Sequence, residues 1–346
     1  MRIHGGDKRD IELDMSVSIN PLGMPPASKA AAVRAIDDAQ RYPETECGPL
    51  KDELSKRNGG NHIILGSGSS ELIYAICHHM SRKLKEYTAL TIAPSFMEYE
   101  YAIKASGGWV RVYSTMEEQA FGITEDICAY VDTDVQLVFI CNPNNPTGEL
   151  IDRGLIELLA DKCAVAGTVL VIDECFLRFS EHYKSHTMTA CLDRYPNVIV
   201  LDAFTKFYGM PGLRIGYGVC SDKELLESLR LQIQPWNINV AAREAATAAL
   251  KDPSFETETV RFMTLMRRDL TAGLKECGIE VVGDPAANFI MFGERDGLRD
   301  ALNSKGIDIR DCSDMMKYHD TRGHYYRTAV STQENNERLL RALKDI

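Results

Sequence analysis

The stretch "HIILGSGSSELIYAICHHMSRKL", His62 to Leu84, decides the fold. "HIILGSG" is a short apolar run that stops at glycines, the signature of a buried strand. "SELIYAICHHMSRKL" follows at once as an amphipathic helix. The same alternation recurs outward from it. "YTALTIAPSF" is a strand and turn, and "VQLVFICNPNNPTG" is a strand that ends in an Asn/Pro loop. "IELLADKCAVAG" is a helix closed by Gly167, "TVLVIDECF" and "NVIVLDAF" are two more buried strands. Short continuous apolar strands separated by helices predict an α/β protein with a doubly wound, mostly parallel sheet.

The pattern changes after about Trp236. "NVAAREAATAALKDP" and "SFETETVRFMTLMRRDLTAGLKECG" read as helices, "IEVVGDPAANFIMFGE" as two strands around a turn, and "TQENNERLLRALKDI" as a last helix. The expected organisation is a large domain over 43–236 and a small α+β domain over 1–42 and 237–346.

Composition narrows the function. The formal net charge of the 346 residues is −11, which argues against non-specific binding to nucleic acid or to anionic membrane. No two of the ten cysteines are closer than the twelve residues between Cys163 and Cys175, so no CxxC metal or redox pair exists. Scattered cysteines read as reduced thiols. The opening residues lack an apolar core of signal-peptide length, and the expectation is a soluble cytoplasmic protein. His182 and His186 lack an HExxH setting, and no metal is expected.

In open parallel sheets ligands bind beyond the carboxyl ends of the strands, and the unusual residues fall there. In "GSGSSEL", Ser69 and Ser70 open a helix whose free N–H groups suit a phosphate; a plain glycine turn with a serine cap is the alternative. "NPNNPTG" offers amide donors in a fixed loop, or is only a rigid turn. Asp173 closes an apolar strand, where a carboxylate needs a partner such as a cationic ring nitrogen, unless it caps the next segment. Lys206 can form a Schiff base if its pKa is depressed, and Arg214 can bind a phosphate; alone they would be a surface pair. Phe96 can stack on a ring or be a core aromatic. Together these groups ask for one ligand with a phosphate, a ring cation, a ring oxygen and an aldehyde, which is pyridoxal 5′-phosphate.

"GSGSSEL", "APSF", "NPNNPTG", "IDECF", "TKFYGMPGLRIGY" and "YYRTAV", in this order, resemble the fold-type I pyridoxal-phosphate enzymes of the class I/II aminotransferase family over nearly the whole chain. The resemblance implies Lys206 as the Schiff-base lysine and Asp173 on the pyridinium nitrogen. It implies Asn145 on the ring oxygen and Phe96 stacked on the ring. Ser69, Ser70 and Arg214 hold the cofactor phosphate, and Tyr42 in "QRYPET" reaches it from the partner subunit of a homodimer. Arg327 in "YYRTAV" matches the arginine for a substrate α-carboxylate.

Within the family the chain resembles two branches, threonine-phosphate decarboxylases and histidinol-phosphate aminotransferases. Both carry an arginine like Arg310 in "GIDIRDC" for a substrate phosphate. The opening "HGG", with His4 and Gly5, the "INPLGMP" run, Phe176 in "DECF" and "QPWNIN" resemble the decarboxylases, and imply decarboxylation of L-threonine O-3-phosphate. Two residues depart from the pattern. Ser18 stands where an asparagine faces the substrate carboxylate, and Ala203 where a hydroxyl helps hold the cofactor phosphate.

Overall fold

The computed structural model describes residues 5–6, 11–319 and 323–346. Its centre is a seven-stranded sheet. In chain order the strands are β1 (His62–Gly66), β2 (Thr88–Ala93), β3 (Trp109–Ser114), β4 (Leu137–Cys141), β5 (Val169–Asp173), β6 (Val198–Ala203) and β7 (Gly216–Cys220). Their spatial order is β1-β7-β6-β5-β4-β2-β3. Strand β7 runs antiparallel to both neighbours, and every other pair is parallel. Strands covered on both faces need apolar side chains on both, and β4 and β6 are buried at every position.

Strands β3 and β7 are not evident in the sequence. The glycines of "RIGYGVC" read as part of a turn, yet Gly216 is a strand residue for a packing reason. A Cβ there would lie 2.6 Å from the Ser69 amide nitrogen, so only glycine lets β7 pass under the helix that follows β1. That helix, α1 (Ser69–Leu84), buries Leu72, Ile73, Ile76 and Met80 at helical spacing against the sheet. Helix α2 (Glu98–Ala105) packs beside it. Gly167 closes the helix Arg153–Ala166 with φ of 72°, the left-handed cap the sequence indicates.

A second, antiparallel sheet has the order β10-β11-β9-β8, built from β8 (Glu280–Val281), β9 (Phe289–Glu294), β10 (Arg310–Asp311) and β11 (His324–Ala329). The helices Val240–Ala249 and Pro253–Glu276 precede it, and Gln333–Lys344 follows. The N-terminal segment joins this sheet to the first. The Met15 N–H donates to Asp308 O, and the Ala329 N–H donates to Met15 O. A few residues on, the Asn20 N–H donates to the carbonyl of Lys206. No helix among the described residues is long and apolar enough to cross a membrane.

Candidate active site

The carboxyl ends of β4, β5 and β6 open into a cavity of about 230 Å³, closed on the far side by β10, β11 and the N-terminal segment. Its anion end is built by backbone geometry. Gly68 has φ of +84°, and a Cβ there would lie 2.6 Å from Arg214 Nη2. Arg214 is itself left-handed at φ of 59°, and its guanidinium donates to Pro211 O and Ser67 O at 3.2 and 3.4 Å. The guanidinium thus sits against the first turn of α1, where the Ser69 and Ser70 N–H groups have no acceptor within the helix. A helix N-terminus beside an arginine is a phosphate socket.

At the opposite end Asp173, the last residue of β5, is buried. Tyr99 Oη donates to Oδ2 at 2.8 Å and the Cys175 N–H to Oδ1 at 3.1 Å. Burial pushes the carboxyl up, and these two donors oppose the shift. A cationic ring nitrogen there would hold it ionised. Tyr99 was not singled out from the sequence; its place three residues after Phe96, in the first turn of α2, was the available signal. The Phe96 ring meets Tyr99 edge-on at 5.6 Å between centroids.

Lys206 lies in the loop after β6, with its backbone pinned from the N-terminal segment: Asn20 Nδ2 donates to the next carbonyl, Phe207 O, at 2.7 Å. Burial pushes the Lys206 ammonium down to about 8, and the positive Arg327 and Arg214 add to the shift. An amine so placed is a nucleophile near neutral pH.

Arg327 is buried, its guanidinium 5.0 Å above the Phe289 ring. It donates to Asn145 Oδ1 and, at 2.9 Å, to Ser16 O. Burial, with Arg310 adding to the shift, pushes it down to about 10. Arg310 is its direct cross-strand partner on β10, also buried. The Ser18 hydroxyl is buried at the cavity without a hydrogen-bond partner among the described residues.

The structure therefore brings Gly5, Ser18, Ser69, Ser70, Phe96, Asn145, Asp173, Lys206, Arg214, Arg310 and Arg327 to one cavity. Tyr42 is not among them: it is 82% exposed, against Trp236 at 4.7 Å. His4 lies outside the described residues. Ala203 does line the cavity and offers no hydroxyl, whereas Thr205, missed in the sequence, lines it too. Among the described residues no cluster of potential metal ligands occurs.

The donor set fits pyridoxal phosphate. The glycine cradle and Arg214 suit its phosphate, the buried carboxyl its ring nitrogen, and the depressed amine its aldehyde. The fold and this site define a fold-type I pyridoxal-phosphate enzyme. The profile for "Aminotransferase class I and II" matches residues 10–343, and the chain belongs to that family, whose cofactor is pyridoxal 5′-phosphate. The chain is 32% identical to a threonine-phosphate decarboxylase of Salmonella typhimurium, with 99% of this chain and 96% of that one covered. It is also 32% identical to histidinol-phosphate aminotransferase 2 of Archaeoglobus fulgidus, over 96% and 93% of the two chains. The structure of a histidinol-phosphate aminotransferase from Clostridium acetobutylicum superimposes with a TM-score of 0.88 at 29% identity, covering 96% of this chain and 98% of that one.

Proposed function

We propose that the enzyme acts on a phosphorylated amino acid, decarboxylating L-threonine O-3-phosphate to (R)-1-amino-2-propanol phosphate. The observation that carries the substrate class is the direct pairing of Arg310 with Arg327 across β10 and β11. Directly opposed residues in an antiparallel pair have Cβ atoms about 4.5–5.5 Å apart, and like charges so placed repel. Two buried cations side by side suit a ligand with two anionic groups a few ångströms apart. A carboxylate and a phosphoryl on a three-carbon skeleton meet that description.

Asp173 would hold the cofactor's ring nitrogen, and the bound cofactor would supply an electron sink for one bond at the substrate α-carbon. The chain's residues choose that bond. Arg327 orients the α-carboxylate, Arg310 anchors the phosphoryl, and Asn145, already held by Arg327, fixes the ring oxygen. Lys206, whose Nζ lies 6.0 Å from the centre of the Phe176 ring, would return a proton to the α-carbon. Ser69, Ser70 and Arg214 hold the cofactor phosphate. Tyr42, exposed on its own chain, completes the phosphate site of a second copy in a homodimer. The large and small domains divide as 43–236 and 1–42 with 237–346.

The likeness to the Salmonella enzyme over nearly the full length supports decarboxylation. A transaminating reading, of the histidinol-phosphate type, is favoured by the Archaeoglobus and Clostridium relatives. The unpartnered Ser18 hydroxyl favours a related phosphoamino acid, phosphoserine, as an alternative substrate. The test offers loaded enzyme O-phospho-L-threonine without a keto acid, and separately histidinol phosphate with 2-oxoglutarate. Repeated turnover to CO₂ and aminopropanol phosphate supports the proposal. Glutamate formation in the second arm alone refutes it.

A further inference from the structure

The paired arginines are not equivalent. Arg327 meets only neutral oxygens, Asn145 Oδ1 and Ser16 O, among the described residues. Arg310 meets a carboxylate: its Nη2 donates to Asp314 Oδ1 and Oδ2 at 2.8 and 2.7 Å. Asp314 belongs to the segment Cys312–His319, which leaves β10 and is anchored outside the cavity a few residues further on. Lys317 Nζ and Tyr318 Oη donate to Glu100 Oε2 on α2 at 2.8 and 3.2 Å. His319 Nε2 lies 2.8 Å from Thr115 O. Met315, next to Asp314, lines the cavity.

A fixed carboxylate beside the arginine that receives an anion repels that anion, unless the anion brings a proton. Phosphate monoesters do so readily, because their second ionisation lies near pH 6. Sulfate esters and sulfonates of the same shape stay fully ionised and have no proton to offer. The charges at the position agree among the described residues. Arg310 and Arg327 supply two positive charges and Asp314 one negative; Asp311, the next residue on β10, points to the other face and is engaged with Ser313, and the Cys312 thiol, pushed up to about 12 by burial, stays neutral. A substrate carboxylate plus a doubly ionised phosphoryl exceeds that supply, and one proton reduces the excess.

We propose that Asp314 is a specificity-determining residue that accepts a hydrogen bond from a singly protonated phosphoryl group on Arg310, so that binding takes up a proton and excludes anions that carry none. The inference rests on the reading of Arg310 as the phosphoryl site. The proton comes from solvent, and no covalent bond changes.

The test uses cofactor-loaded protein and two unreactive, amine-free ligands, 3-phosphooxypropionate and 3-sulfooxypropionate. Calorimetry at pH 7.5 in buffers of different ionisation enthalpy reads affinity and proton uptake together. Wild type is expected to take up close to one proton with the phosphate ester, and to bind the sulfate ester at least about tenfold more weakly, the effect of one charge-assisted hydrogen bond against one repulsion. Asp314→Asn should abolish the uptake and close the gap, chiefly by tightening the sulfate ester, while Asp314→Glu keeps both. Equal binding of the two esters by wild type, or no proton uptake, overturns the proposal, and both are read without any variant. Arg310→Gln separates the underlying reading: if it leaves the affinity for the phosphate ester unchanged, Arg310 is not the phosphoryl site and that reading fails with it.

Discussion

Replacing Lys206 by methionine removes an amine and keeps most of its stem, and the consequence for stability depends on pH with a definite sign. The native ammonium titrates near 8, against an ordinary 10.5. Below about pH 8 native and unfolded chains both carry the charge, and the native state bears its full desolvation penalty. Between about 8 and 10.5 the native amine is neutral while the unfolded one still binds a proton. The unfolded state then holds more protons, so stability rises with pH across this window. The gap corresponds to about 3 kcal/mol at about 1.4 kcal/mol per pH unit. The cofactor-free Lys206→Met protein should therefore be more stable than wild type by about 3 kcal/mol at pH 7.5, and the difference should shrink towards zero by about pH 10.5. Urea unfolding of both proteins at a series of pH values measures it, and subtracting the curves removes every other titrating group. A difference that stays flat across the window would refute the buried, depressed amine on which the site depends.

Glu174, adjacent to Asp173, is buried with its carboxylate accepting from Thr187 Oγ1 and the Met188 N–H, and burial raises it to about 7. Its neutral form is the stable one, so Glu174→Gln should stabilise the fold by about 1–3 kcal/mol at pH 8 and by nothing near pH 4.5, read as the melting-temperature difference at the two pH values. Tyr99→Phe removes a donor to Asp173 and should weaken cofactor retention by about 1.5–3 kcal/mol, seen as faster loss of the bound cofactor's visible absorbance on dialysis. Gly68→Ala forces a side chain into positive φ and against Arg214, which should lower cofactor affinity by strain of about 1–3 kcal/mol. Gly212→Ala, whose Cβ would meet nothing within 4 Å, is the neutral control.

The positions of Lys206, Asp173, Asn145 and the serine pair were legible because each lies at or within a few residues of the end of a strand and is marked by a glycine, a proline or a charge breaking an apolar run. Such breaks are local, and a sheet whose strands run mostly parallel gathers its ends at one edge. What stayed hidden depends on contacts distant in sequence. Tyr99 reaches Asp173 across 74 residues, and Asn20 reaches the Lys206 loop across 187 to Phe207. Strand β7 was masked by the glycines that let it pass beneath Ser69, since a residue chosen for close approach resembles one chosen for a turn. The Asp314 contact is short in sequence, yet its meaning depends on the cross-strand register that sets Arg310 against Arg327. That register follows from how β10 and β11 pair, which the two short segments do not announce.

The central claim is that Lys206 carries the cofactor. Borohydride reduction of the loaded protein fixes a lysine-bound pyridoxal group as a stable amine, and peptide mass mapping then locates it. The account predicts a single modified peptide, the one containing Lys206, and none in Lys206→Met. Label on another lysine, or no label at all, would contradict it.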